Sequence, residues 1–218
     1  MKKNKKIIIA VPRGRILSEL RFFLKKVNLK PDKSLFDENS RMLSFGSNVP
    51  FIKFVKVRSF DVCTFVAFGA AQIGIAGSDI IEEFDNQEVY SPLNLNIGKC
   101  RLSVAALKSL INREDPKTWS NIRIATKYPN ITKKYFAEKG IQVETIKLNG
   151  SIELAPTLSM CRRVVDLVST GKTLKDNGLI EVEKIFDVTS KLIVNRSSLK
   201  TDSIRIKKII NKFKRGIV

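Results

Sequence analysis

Val164-Val165-Asp166-Leu167-Val168-Ser169-Thr170-Gly171-Lys172-Thr173-Leu174 reads as a short apolar strand carrying one carboxylate, then a hydroxyl- and glycine-rich turn, then a helix start. That order gathers backbone N–H groups, the hydroxyls of Ser169, Thr170 and Thr173, and the positive end of a helix around one point, which suits phosphate. Asp166 cannot favour an anion, so its partner is either sugar hydroxyls or a magnesium ion. A grip on phosphate and sugar together suggests a phosphorylated ribose. An ordinary strand–turn–helix connection is the plain alternative. A Walker A loop is excluded, although Gly171-Lys172-Thr173 resembles its tail. That motif needs a glycine five residues earlier, and position 166 holds aspartate.

The same alternation of strand, turn and helix extends along the chain. Ile7 to Val11 is a continuous apolar run closed by Pro12 and Gly14, as in a buried parallel strand, and Arg15 to Lys26 has helical spacing. Strands are expected over Ile52–Val57 and Gln72–Gly77, and helices over Val62–Ala71 and Ile80–Phe84. A second set begins near residue 98. It has strands over Cys100–Leu107, Ile122–Thr126 and Val143–Leu148, a helix over Asn130–Lys139, and a polar link from Asn112 to Ser120 that contains Pro116 and Trp119. Lys191–Val194 is one more strand. Ile206, Ile209, Ile210 and Phe213 mark an amphipathic helix with a basic outer face. The fold class is α/β.

The chain has 218 residues, 43% of them hydrophobic, enough for one large domain or two small ones. Forty basic and 21 acidic residues give a formal charge of +19, which fits a phosphate-rich substrate and also nucleic acid. Much of the excess lies at the ends: Lys2, Lys3, Lys5, Lys6, and the run from Arg205 to Arg215. There is no histidine, which removes the commonest general base and transition-metal ligand. Cys63, Cys100 and Cys161 lack metal-ligand spacing and point to a reducing cytoplasm. The apolar run at residues 7–11 is too short for a signal peptide's core or a membrane span.

Several segments together resemble the ATP phosphoribosyltransferase family in its short form. They are Ala10-Val11-Pro12-Arg13-Gly14-Arg15-Ile16-Leu17, Phe68 to Asp79, Ile97 to Leu102, Ile124 to Asn130, Lys147 to Pro156, and Asp166 to Leu179. The resemblance covers about residues 6 to 200, and the joint order is specific where a lone Gly-Lys-Thr is not. It implies condensation of ATP with 5-phosphoribosyl 1-pyrophosphate (PRPP) to give N1-(5-phosphoribosyl)-ATP and pyrophosphate. This is the first step of histidine biosynthesis, and it uses Mg2+ held mainly by substrate. The implied fold is two-lobed, like a type II periplasmic binding protein, with the active site in the interdomain cleft. Residues 1–96 and 183–218 would form the first lobe and residues 97–182 the second. The chain ends before the regulatory domain of long members. A homodimer assembling with a regulatory subunit resembling histidyl-tRNA synthetase is therefore expected, with no membrane and no nucleic-acid partner.

By the same resemblance, Arg15 and Arg41 (in Ser40-Arg41-Met42-Leu43) serve the leaving pyrophosphate or the ATP phosphates. The plain alternative for each is a surface salt bridge. Ser169, Thr170, Gly171, Lys172 and Thr173 hold the 5-phosphate, and Asp166 meets the ribose hydroxyls. Glu153 helps with ribose or magnesium, or is only a helix N-terminal acid. Arg13, Gly77 and Asp79 face the nucleotide, Asp79 being alternatively a helix N-cap. Lys99 and Arg101 are lesser candidates for phosphate contact. The chain departs from the family at Arg162, where an acid is usual, and at Ser78, Cys63, Phe65 and Phe68. Arg162 and Arg163 are expected to add two charges near the loop. A phosphate-ligand or nucleic-acid binding protein without catalysis is the alternative reading.

Overall fold

The structure is a computed structural model that describes residues 6–111 and 121–217. The polar link expected over 112–120 and the lysines before Lys6 lie outside the described residues. The chain divides into two compact units, Met1–Gly98 with Thr189–Val218, and Lys99–Val188.

The first unit is built on six strands: β1 (Ile7–Pro12), β2 (Ser44–Phe45), β3 (Ile52–Val57), β4 (Ile73–Gly77), β5 (Val89–Asn94) and β11 (Ser190–Asn195). Their order is β2-β3-β1-β4-β11-β5, with β1 parallel to both β3 and β4, and β11 antiparallel to β4 and β5. Its helices include α1 (Arg15–Lys26), α2 (Asp61–Ala67), α3 (Ser78–Phe84) and, late in the chain, α8 (Arg196–Thr201) and α9 (Ser203–Ile217). The apolar run of β1 is explained by cover on both faces. Ile7, Ile9 and Val11 share one core with Leu20, Phe23 and Leu24 of α1 and with Ile206, Ile209 and Phe213 of α9. Ala10 faces the opposite way, into a core with Val62, Cys63 and Val66 of α2. Where α1 and α9 meet, the Phe23 and Phe213 rings pack at 5.6 Å between centroids.

The second unit contains β6 (Cys100–Leu107), β7 (Asn121–Thr126), β8 (Gln142–Lys147), β9 (Arg163–Val168) and β10 (Leu179–Val188), in the order β10-β6-β9-β7-β8. Its helices are α4 (Lys108–Ile111), α5 (Pro129–Ala137), α6 (Leu154–Thr157) and α7 (Lys172–Asp176). β9 is central, antiparallel to β6 and parallel to β7. Val164 and Val168 from β9 pack with Ala105, Ala125, Ile152, Ala155, Leu174 and Leu179.

Three differences from the sequence reading have physical causes. Helix α2 ends at Ala67 rather than continuing to residue 71. The buried Asn195 donates its Nδ2 hydrogens to the carbonyls of Val66 and Ala67 (3.0 and 3.2 Å), satisfying the last turn. Strand β5, not expected, contains Pro92, which a sheet tolerates at an edge, where β5 lies. Strand β10, also not expected, breaks its alternation with irregularities at Glu181/Glu183 and Lys184/Phe186. Its pairing with β6 runs to Val188 opposite Cys100, so residues 183–188 belong with the second unit.

The α9 packing gives a direct contrast. Phe213→Ala should cost about 3–5 kcal/mol of stability by urea denaturation. The exposed pair Lys207→Ala/Lys208→Ala should stay within about 0.5 kcal/mol of wild type. Equal losses would mean that the basic face, rather than the apolar one, holds the helix.

Candidate functional site

Strand β9 is anchored before its turn by the buried Thr126, whose hydroxyl donates to the Val165 carbonyl at 2.8 Å. Beyond Val168 the chain bends through Gly171, which adopts φ +76°, ψ 0°, a left-handed conformation that glycine accepts without a Cβ penalty. α7 starts at once. The first N–H groups of any helix have no acceptor within it, so this bend presents donors.

A pocket of about 220 Å3 opens here, lined by Glu153, Asp166, Ser169, Thr170, Gly171, Lys172 and Thr173, with Val164, Val168 and Leu174 behind them. Ser169, Thr170, Lys172 and Thr173 are exposed, while those three apolar residues are buried. Thus a rigid apolar base carries a polar rim. The two-residue period of a strand puts Asp166 on the same face as Val164 and Val168. One of its carboxylate oxygens accepts from the Leu167 N–H at 2.8 Å. The rim offers hydroxyls, backbone N–H groups and one ammonium to an anion, with two carboxylates alongside for hydroxyls or a hard cation. All seven residues expected to hold PRPP therefore meet in one pocket.

The arginines and the nucleotide residues lie in the first unit. Arg15 donates through Nη2 to the Gly98 carbonyl at 3.3 Å and stands 4.0 Å from Glu19, which accepts from the Gly98 N–H at 2.7 Å. The surface ion pair that the sequence left open for Arg15 is thus present. At this length and exposure it adds little stability. Arg41 is exposed. Arg13 lines a second pocket, about 320 Å3, together with Arg21, Ser40 and Lys56.

Lys56 was not expected here, yet the sequence carried a signal: it falls in phase with Ile52 and Phe54, the buried row of β3. It is 5% exposed. Its Nζ donates to the carbonyls of Leu35 (3.2 Å) and Asp37 (3.0 Å), tying down the segment that leads to Arg41.

Gly77 and Asp79, expected to face the nucleotide, lie inside the first unit. Both are buried, and Asp79 is 2% exposed. The Asp79 carboxylate folds back so closely that a Cβ on Gly77 would lie 2.0 Å from its Oδ1. Neither residue offers a nucleotide an open surface, and the N-cap of α3 is Gly77 rather than Asp79. Asp79 sits in the first turn, where negative charge complements the helix dipole.

Arg162 and Arg163 also fall elsewhere than expected. They lie at the start of β9, and six steps of strand put Arg163 roughly 20 Å from Ser169. Arg163 is buried besides. Lys99 is exposed, whereas Arg101 is engaged with Glu181 and the Ser169 carbonyl.

A family model described as HisG, ATP phosphoribosyltransferase, matches residues 58–215. The chain belongs to the ATP phosphoribosyltransferase family. The ATP phosphoribosyltransferase of Paramagnetospirillum magneticum is 55% identical over 201 residues, 92% of each chain. That of Rhodospirillum rubrum is 54% identical over 209 residues, 96% of this chain and 92% of the relative. Among solved structures, a chain of the ATP phosphoribosyl transferase (HisG:HisZ) complex from Thermotoga maritima superposes with a TM-score of 0.80 at 30% identity. It covers 97% of this chain and 98% of that one. No helix among the described residues is long and apolar enough to cross a membrane.

The thiols give a test of the packing around Asp79. Burial, with the Asp79 carboxylate adding to it, pushes Cys63 up to about 12, and burial also raises Cys161. Only thiolate reacts, so both should stay inert at pH 8 while the half-buried Cys100 is labelled first. A thiol-specific reagent should count one fast site in native protein and three after denaturation. Fast labelling of Cys63 would show that the α2–α3 core is open.

Proposed function

We propose that this protein condenses ATP with PRPP to give N1-(5-phosphoribosyl)-ATP and pyrophosphate, the committed entry into histidine biosynthesis. Family membership supplies the reaction. The observation that carries the site is the single pocket joining the Ser169–Thr173 bend to Asp166 and Glu153.

The chemistry suits an enzyme without histidine. Adenine N1 is a neutral nucleophile with its lone pair available, so no base is needed. Its lone pair forms the bond to ribose C1 as the bond from C1 to the pyrophosphate oxygen breaks and the electron pair leaves with pyrophosphate. The barrier lies in bringing two polyanions together and in stabilising the charge that departs. On this reading the bend fixes the sugar through its 5-phosphate, and Asp166 fixes the ring through its hydroxyls. Arg15 and Arg41 meet the leaving pyrophosphate or the ATP phosphates, with Arg13 beside its pocket as a further phosphate contact. The two units are assigned to the lobes of a type II periplasmic-binding-protein-like fold.

The donor set fits magnesium held mainly through substrate. Glu153 and Asp166 supply the one or two carboxylates that Mg2+ takes beside phosphate oxygens. When bound, the ion would neutralise pyrophosphate charge. A cytoplasmic location follows from the pathway. Assembly with a separate subunit is supported by the Thermotoga maritima chain's having been solved in a HisG:HisZ complex; the family resemblance adds the homodimer and the histidyl-tRNA-synthetase-like character of that subunit. A binding protein without catalysis is disfavoured, because the relatives at 54–55% identity are named for a transferase.

Purified protein supplied with ATP, PRPP, magnesium and a regulatory subunit should form phosphoribosyl-ATP, followed by its ultraviolet absorbance. Asp166→Asn should lower kcat/KM by about 10- to 100-fold, as expected for losing a charged hydrogen-bond partner, with an unchanged melting temperature. No product from wild type would remove the enzyme reading. Full activity in the variant would move the ribose site elsewhere.

A further inference from the structure

Beside the phosphate bend runs a side-chain network that the reaction as described does not use. Arg101 on β6 grips Glu181 of β10 with two parallel bonds, Nε to Oε1 at 2.6 Å and Nη2 to Oε2 at 2.5 Å. Ser103, fully buried, donates its hydroxyl to the same Oε1 at 2.8 Å. The free edge of the guanidinium then reaches past the end of β9, where Nη1 donates to the Ser169 carbonyl at 3.2 Å. The register explains the reach. Ser103 stands opposite Asp166 and Arg101 opposite Val168, and directly opposed residues share a sheet face. The network therefore flanks the stretch from Asp166 to Ser169 on the β6 side.

A planar trans peptide points its C=O and N–H in opposite directions. Holding the Ser169 carbonyl therefore fixes where the Thr170 N–H points, because both belong to one peptide plane. That N–H is among the donors of the bend. Glu181 has the matching task of locking the guanidinium, since a bidentate carboxylate removes the rotational freedom of a long side chain. The hydrogen bond from Arg101 also holds the Glu181 carboxyl below the usual carboxylate range, so the pair stays ionised through neutral pH.

We propose that Arg101, locked by Glu181 and Ser103, is a positioning residue that orients the Ser169–Thr170 peptide of the sugar-phosphate bend. This rests on the functional reading above, and it differs from a direct role for Arg101 in binding phosphate. The two roles make opposite predictions for Glu181. A direct ligand would be freed by losing its carboxylate, whereas a positioning residue would lose its lock.

The test is a double-mutant cycle on the full chain, with steady-state kinetics varying PRPP and ATP separately. Arg101→Gln and Glu181→Gln should each raise KM for PRPP about tenfold, leaving KM for ATP and the melting temperature near wild type. The double variant should be no worse than either single one, because both act through one contact. Arg101→Lys, which reaches the carbonyl without the fork, should restore part of the loss. Unchanged or tighter PRPP binding in Glu181→Gln would overturn the proposal, as would parallel loss of both KM values and of stability. If Arg101→Gln does not fold, Glu181→Gln and Ser103→Ala decide by the same readout. Should wild type make no product, the functional reading falls by itself. Titration with inorganic phosphate then judges the clamp alone: its Kd should rise about tenfold in Glu181→Gln, and an unchanged Kd would refute it.

Discussion

The second unit is arranged around the end of β9, where a strand with Val164, Val165 and Val168 buried gives way to a turn whose Ser169 and Thr170 are open to solvent. Val164 and Val168 are fixed in the core, so the carboxylate between them has one direction in which to point. Leu174 enters the same core one turn into α7, and Gly171 supplies the left-handed bend that joins the two. The rim residues thus stand on a rigid apolar base, with a long hydrogen bond from the Lys172 N–H to the Thr170 hydroxyl at 3.4 Å and the Arg101 contact to the Ser169 carbonyl at 3.2 Å beside it. A polyanion can be bound there without first ordering a loop, which saves conformational entropy at the moment of binding.

The first unit shows the same economy with a different device. Its central strands are apolar on both faces, yet β3 carries a lysine in the buried row. Lys56 is accommodated because two backbone carbonyls accept from its ammonium and the Phe45 ring lies 5.4 Å away. A buried cation without such acceptors would be strongly disfavoured. Its position therefore marks the 35–40 segment as structurally fixed, and Arg41 follows directly. Arg15, by contrast, rests on Gly98 through a long hydrogen bond and a weakly held, half-exposed ion pair, so it is available to a stronger anion.

Elements that obey a simple period were legible in the sequence. The run at Ile7–Val11, the helix from Arg15 to Lys26 and the apolar stripe of α9 are where their spacing puts them. β10 was hidden because its irregularities scramble the alternation, and β5 because a proline reads as a breaker until the strand is known to lie at an edge. The pocket proposed for the sugar phosphate was readable because its rim residues are nearly contiguous, with only Glu153 drawn from another segment. Partnerships across strands were not readable: nothing local links Arg101 to Glu181, eighty residues apart, or shows that Asp79 turns inward over Gly77. The +19 charge was similarly ambiguous, since much of it is solvated on α9 and at other exposed positions rather than gathered at the pocket.

The central claim is that the bend at residues 169–173 seats the terminal phosphate of an activated ribose. A crystal structure of the protein with PRPP and magnesium addresses it most directly. The account predicts the 5-phosphate within hydrogen-bond distance of backbone N–H groups between Thr170 and Thr173, with the ribose hydroxyls on Asp166. Density for that phosphate at any other place, with the bend empty and Asp166 facing bulk water, would contradict it.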